Sequence, residues 1–278
     1  MSQDCLKFVV GDRVQLKNKK GQPFTIILER NGISHSHKGT MQHNNIIGKD
    51  YSSVVENDKG ELYIASEPTY SDAVLSLKRG AAIIYPKDAA AICLEADIKP
   101  QDKVLECGLG TGALAKYILQ ILGKTGLLVS VEQDSKFASI AIENVGNWSN
   151  WQVIIDKLDN LSNKYDGSFD AVIYDMLDPW NNLTLAYRAL KPGGRLVCYV
   201  TTVTQLCRLT EKLRQANCWM EPESYELIRR PWHVEGLSVR PVHSIIGHTG
   251  FIFVTRRLAD GFRPLPKRTK TYFDIDDL

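Results

Sequence analysis

The stretch Val104-Leu105-Glu106-Cys107-Gly108-Leu109-Gly110-Thr111-Gly112-Ala113-Leu114 constrains the fold of this chain more than any other. A short apolar run ends in a loop with glycine at every second position, and a helix-forming run comes next. Glycine accepts φ > 0 without steric cost and lets a ligand approach the backbone. The helix behind the loop offers N–H groups without intrahelical partners at its first turn. Strand, glycine loop and helix in this order are how α/β proteins hold a nucleotide-like cofactor.

The surrounding pattern agrees. From residue 101 the periodicity predicts strands over 103–106, 127–131, 152–155, 169–174 and 195–200. Helices are predicted over 113–122, 135–145, 182–190 and 203–216, with late strands near 225–229 and 251–255. Strands alternating with helices imply a mostly parallel sheet with right-handed crossovers. Ligands of such sheets sit at the carboxyl ends of the strands, where Glu106, Glu132, Asp159 and Asp175 fall. Residues 1–65 differ: short alternating runs broken at Lys20-Gly21-Gln22 and at Asn57-Asp58-Lys59-Gly60 predict a small antiparallel sheet or barrel. Between them, a helix is expected over 71–77, an extended segment over 79–86 and a helix over 87–96. The expected organisation is a small N-terminal β domain, 1–65, before an α/β domain, 66–278.

Composition excludes several classes. No run approaches ~18 uninterrupted apolar residues, so no membrane span is expected. The start MSQDCLKF carries no signal-peptide core, and a cytoplasmic protein is the expectation. The six cysteines form no CxxC pair, and Cys93, Cys107 and Cys198 lie in apolar runs, which suits buried reduced thiols. His35 and His37 would share one face of a strand, but no carboxylate or Cys stands beside them or His43 at ligand spacing, so no metal is expected. Net charge is +2, so any nucleic-acid contact must come from local patches such as 13–20 (RVQLKNKK) and 267–270 (KRTK).

The glycine loop alone leaves the cofactor open. Gly108-x-Gly110-x-x-Ala113 also fits the dinucleotide fingerprint. Glu132, at the end of the next strand, could accept from both hydroxyls of a ribose, which suits NAD and S-adenosylmethionine alike. The residues beyond Glu132 discriminate. No substrate domain for hydride transfer is evident; the sheet continues to Asp175-Met176-Leu177-Asp178-Pro179-Trp180 and then a Lys191-Pro192-Gly193-Gly194 turn. Carboxylate, proline and aromatic at the fourth strand end is a recurring way for amino-methyltransferases to hold a planar base. Pro179 and Trp180 equally suit a helix-starting proline and a packed tryptophan.

Taken with further stretches, the pattern becomes specific. They are Arg79-Gly80 through Tyr85-Pro86-Lys87-Asp88, Val131-Glu132-Gln133, 200–206 (VTTVTQL), Arg240-Pro241-Val242-His243 and Gly247-His248-Thr249-Gly250-Phe251. With them the chain resembles the tRNA adenosine-58 N1-methyltransferase family, in its bacterial single-subunit form, over nearly its whole length. The resemblance implies a Rossmann-like seven-stranded methyltransferase fold, S-adenosyl-L-methionine as donor, tRNA as substrate and a homotetramer. It implies that Glu106, Gly108, Gly110, Thr111, Gly112, Ala113 and Leu114 bind the cofactor, with Thr111, Gly112, Ala113 and Leu114 cradling its amino-acid end. Glu132 would hold the ribose, Asp159 the adenine amino group, and Asp175 would sit beside the methyl donor and the target base. One departure is visible: five residues after Glu132, where related sequences often carry His, stands Phe137, which could still pack on the cofactor adenine. Tyr85, Trp180 and His248 are candidates for the substrate pocket, each with a structural role as the alternative; Trp232 is a further candidate stacking surface.

This chemistry makes modest demands. N1 of adenine carries a lone pair, so attack on an activated methyl group needs positioning more than proton removal. The product is cationic, and Asp175 would stabilise the developing charge. A base buried in folded RNA must first be turned out. Two other readings stay open on sequence: an NAD-dependent oxidoreductase, and a non-catalytic RNA-binding subunit of a methyltransferase pair.

Overall fold

A computed structural model describes residues 6–265 and divides into two compact units, one through Leu77 and one from Lys78. The tail patch 267–270 lies outside the described residues.

The first unit contains β1 (Arg13–Asn18), β2 (Pro23–Ile27), β3 (Ile33–Ser36), β4 (Gly39–Gln42), β5 (Ser53–Glu56), β6 (Leu62–Ser66) and α1 (Tyr70–Leu75). Four strands form an antiparallel sheet in the order β2-β1-β6-β5, and β3 and β4 form a separate hairpin. Val14 and Leu16 of β1, Ile26 of β2 and Ala65 of β6 share one core with Phe8 and with Met41 of the hairpin, and Gln15 of β1 is buried as well. The unit extends past the boundary expected at residue 65 because α1 packs with it. Thr69 and Asp72 close a capping box at the start of α1, and Lys17 of β1 reaches Asp72 at 3.3 Å.

Of the histidines of this unit, His43 serves hydrogen bonding. His43 is buried; its Nδ1 accepts from the Glu29 N–H at 3.0 Å, so Nε2 carries the proton and donates to Ser34 Oγ at 2.7 Å. His35 and His37 are exposed. Among the described residues no three His, Cys, Asp or Glu side chains gather as metal ligands.

The second unit runs α2 (Pro86–Glu95), β7 (Lys103–Cys107), α3 (Ala113–Leu122), β8 (Leu127–Glu132), α4 (Ser135–Val145), β9 (Trp151–Ile155) and β10 (Phe169–Tyr174). It continues with α5 (Leu183–Ala189), β11 (Leu190–Val200), α6 (Val203–Ala216), β12 (Glu223–Glu226), β13 (Trp232–Glu235), β14 (Ser238–Pro241) and β15 (Phe251–Arg256). Seven strands make one sheet in the order β12-β15-β11-β10-β7-β8-β9. Only β15 runs against the others, antiparallel to both β11 and β12. The middle strands are buried on both faces, which is why β7, β8 and β10 read as continuous apolar runs. Leu105, Val129, Phe169, Val172, Leu196, Phe253 and Trp219 join in one core. Among the described residues no helix is long and apolar enough to cross a membrane.

Three details depart from the sequence pattern. Residues 78–85 pair with no strand; Pro86 is the first residue of α2, where its missing N–H costs nothing. The 191–194 turn is a bulge within β11: pairing to β10 jumps from Phe169 with Leu190 to Ala171 with Arg195, and Gly193 N–H donates to the Arg257 carbonyl. The antiparallel hairpin of β13 and β14 had no signal strong enough to predict it.

Candidate active site

Strand order places the site. From β7 the chain moves outward to β8 and β9, then returns to the other side of β7 with β10 and β11. The carboxyl ends of β7 and β10 therefore flank the point where the winding reverses, the usual crevice of such sheets. Asp175, first residue after β10, donates its N–H to the Cys107 carbonyl at 2.9 Å, and Gly108 N–H donates to the Val131 carbonyl at 3.0 Å. The ends of β8, β7 and β10 are thus tied side by side.

A cavity of about 730 Å³ opens there. Gly108, Gly110, Glu132, Phe137, Asp159 and Asp175 all line it. Glu132 braces the glycine loop: Oε2 accepts from Leu109 N–H at 3.1 Å and Gly110 N–H at 3.3 Å, and Oε1 accepts from Asp134 N–H at 2.9 Å. A carboxylate has about four acceptor directions, so Oε1 retains one for a ligand hydroxyl. Burial pushes the Asp175 carboxyl up to about 7, and the nearby Glu132 charge adds to the rise.

Other predicted residues lie elsewhere. Glu106 does not line the cavity; it is buried beneath the loop and accepts from Ser130 Oγ at 2.6 Å, and Trp151 Nε1 donates to Ser130 at 2.9 Å. Burial raises its carboxyl to about 8; the Ser130 hydrogen bond opposes the rise, Asp175 and Glu132 reinforce it, and the Ala115 amide at the start of α3 favours the anion. Thr111, Ala113 and Leu114 are buried, and Gly112 packs against Val145 and Ala141 of α4. These residues hold the loop in shape. Tyr85 precedes Pro86 as the cap of α2, outside the cavity lining. Pro179 is the buried first residue of a short 3-10 helix (Pro179–Asn182), and Trp180 packs on the core with the Arg208 guanidinium 4.9 Å from its ring centre. The packed-tryptophan alternative describes its contacts.

His248 sits outside the cavity and joins two strand ends. Nδ1 lies 2.7 Å from Glu226 Oε2 of β12, and Nε2 lies 2.9 Å from the Thr201 carbonyl beyond β11. Both partners are acceptors, so both ring nitrogens donate and the imidazolium is favoured. Its pKa is raised accordingly, chiefly by Glu226 and next by the Thr201 carbonyl.

The neighbouring Thr249 belongs to a network that the sequence did not reveal as one. Asp88, fully buried at the start of α2, accepts from Lys87 at 2.6 Å, Thr249 Oγ1 at 2.8 Å and the Tyr199 hydroxyl at 3.3 Å. Lys87 also donates to Thr249 Oγ1 at 2.7 Å. Tyr199 lines the cavity. The motifs around 87–88 and 247–250 thus meet behind one cavity wall. Tyr199 was hidden inside an apolar strand, and Leu177, Asp178, Asn182 and Gln205, which also line the cavity, carried no recognisable spacing.

The cavity suits a cation better than a pyrophosphate. Its lining includes Glu132, Asp156, Asp159, Asp175 and Asp178 against one cation, Lys157. A dinucleotide would place its phosphates at the first turn of α3. Here the first turn of α3 already has the buried Glu106 carboxyl near its Ala115 amide, and a second anion there would meet that charge.

Comparison with known proteins agrees. The family model described as tRNA methyltransferase complex GCD14 subunit matches residues 63–240, and a TrmI-like N-terminal model matches residues 7–55. A tRNA (adenine(58)-N(1))-methyltransferase TrmI from Thermus thermophilus is 31% identical over 247 residues, covering 87% of this chain and 95% of the relative. A tRNA (adenine(57)-N(1)/adenine(58)-N(1))-methyltransferase TrmI from Methanocaldococcus jannaschii is 32% identical over 237 residues, covering 75% and 84%. The solved structure of a SAM-dependent O-methyltransferase from Thermotoga maritima superposes with a TM-score of 0.86 at 26% identity, covering 94% of this chain and 97% of that one. Across both units, the chain belongs to the GCD14/TrmI family of tRNA methyltransferases.

Proposed function

We propose that this protein transfers a methyl group from S-adenosyl-L-methionine to N1 of adenosine 58 in the T-loop of tRNA. The observation that carries this reading is the acidic cavity at the reversal of strand order, with Asp175 on its wall and Glu106 below the loop. The donor fits it: Gly110 has no side chain and only Ala81 Cβ within 4 Å of where a Cβ would stand, which leaves room beside the loop, and the carboxylates suit sulfonium and ammonium charge. When bound, the donor supplies a methyl group already activated by its sulfonium.

The chain's own residues then position and stabilise. Glu132 accepts from a ribose hydroxyl through Oε1 while bracing the loop. Phe137 offers an apolar face to the cofactor adenine, and Asp159 accepts from its amino group. Asp175 orients the target base through its exocyclic amine and faces the positive charge that develops as N1 is alkylated. Its carboxyl is held high in the free protein, and a cation beside it draws it back toward the anion. Thr111 through Leu114 act indirectly, by shaping the loop.

The same reading includes a homotetramer and a cytoplasmic enzyme acting on tRNA. Assembly is supported by the β13–β14 hairpin, where Trp232, Val234, Leu237 and Val239 are all more than half exposed. A contiguous apolar patch of this kind marks an interaction surface. On the first unit, Lys19 and Lys20 are exposed at the turn after β1 and could meet phosphates, whereas Lys17 is paired with Asp72.

A binding test separates this reading from the oxidoreductase. S-adenosylmethionine should raise the melting temperature and NAD should leave it unchanged; the reverse result removes the proposal. Scattering-coupled gel filtration that returns a monomer removes the tetramer.

A further inference from the structure

We propose that Leu177 is an apolar wedge that enters the RNA stack as the target base is turned out into the cavity; this rests on the tRNA-methylating reading above. Leu177 lines the cavity, yet its side chain is 76% exposed. It is presented by a pinned loop. On one side, Asp175 N–H is held by the Cys107 carbonyl. On the other, Pro179 is buried at the start of its 3-10 helix. In the middle, Gln205 Nε2 donates to the Leu177 carbonyl at 2.9 Å. Gln205 is itself fixed, since its Oε1 accepts the Thr201 and Thr202 N–H groups at 3.1 and 3.0 Å at the start of α6.

A leucine presented to water on a tethered backbone at the rim of a polar cavity gains little for folding, since burial is what makes an apolar side chain stabilising. Its neighbours differ: Met176 packs on the core and Asp178 is polar. Extruding a base leaves a gap in the stack, and apolar side chains fill such gaps in nucleic acids that proteins distort. The rim also carries a cation. Arg208, one turn beyond Gln205 on α6, is exposed and lies over the Trp180 ring. An arginine so held can take a phosphate beside the wedge. Trp180 then acts on the RNA through Arg208.

The test uses the whole protein and tRNA carrying 2-aminopurine at the target position, whose fluorescence rises when the base leaves the stack. Methylation of unlabelled tRNA is measured in parallel. Binding of the unaltered protein should raise the fluorescence severalfold. Leu177→Ala should bind with similar affinity, give less than half of that rise and lower kcat/KM roughly tenfold. Leu177→Met, which keeps the bulk, should restore both. An undiminished rise with Leu177→Ala overturns the wedge. So does methylation by the unaltered protein with no rise at all. If the unaltered protein methylates no tRNA, the reading beneath the wedge fails, and the wedge fails with it.

Discussion

A Cβ atom at Gly108 would lie 1.9 Å from the carbonyl oxygen of Asp175. The glycine loop after β7 and the chain leaving β10 cross so closely that only hydrogen fits between them. Gly108 also has φ +89°, a region that side chains other than glycine rarely adopt. Gly108→Ala must therefore displace the backbone carrying Asp175. We expect a loss of about 2–4 kcal/mol in unfolding free energy and loss of donor binding, read by denaturant titration and calorimetry. Donor affinity unchanged from the unaltered protein would contradict this.

Asp175 should trade stability for function. Its folded-state pKa, about 7, lies above the ordinary 3.8. Between these values the native state keeps a proton that the unfolded chain has released, so this group's contribution to stability falls as pH rises through that window. Asp175→Asn should be more stable than the unaltered protein at pH 8, by about 2 kcal/mol because the carboxyl is open to solvent on its cavity side, with no gain below pH ~4. Methyl transfer should be lost. In the unaltered protein kcat/KM should fall as pH drops below about 7, where the free enzyme's Asp175 becomes protonated.

Gly250 guards the cavity wall. A Cβ there would lie 2.4 Å from Tyr199 Cζ. Tyr199 is held by Asp88, which Lys87 and Thr249 also engage. Gly250→Ala should push Tyr199 out of place and lower kcat more than it raises the donor Kd, because the displaced ring lies across the cavity from the Glu132 side. Steady-state kinetics with donor titration checks it; an effect confined to the donor Kd contradicts it.

His248 should act as a pH-dependent tie. Its pKa is raised above 6.5 by Glu226 and the Thr201 carbonyl. The stabilisation is fully present below the unfolded value and is lost as pH rises through the raised folded value. His248→Ala should lower the melting temperature more at pH 6 than at pH 9. Melting curves at the two values decide it, and an equal loss at both would show that the ring acts only by packing on Phe251, 4.9 Å away.

The parallel sheet was readable because its strands are mostly apolar and punctuated by glycine and acidic ends. Helices 113–122, 135–145 and 203–216 begin and end where their caps and glycines predict. Roles within the glycine loop were less readable. Glu106 and Glu132 both lie at the carboxyl ends of neighbouring strands and both are buried; only the direction each side chain takes in the fold puts one under the loop and the other on the cavity wall. Tyr199 and Asp88 are far apart in sequence, so nothing local announces that the tyrosine hydroxyl donates to that carboxylate. Leu177 looked like any residue between Asp175 and Pro179; its exposure is a property of the fold.

Incubating the protein with unmodified tRNA and isotope-labelled S-adenosylmethionine, then mapping the methylated nucleoside by mass spectrometry, decides whether N1 of adenosine 58 is the acceptor. Label is expected in 1-methyladenosine at position 58, and none with Asp175→Ala. Label on a ribose oxygen, or on 1-methyladenosine undiminished by Asp175→Ala, would contradict the proposal.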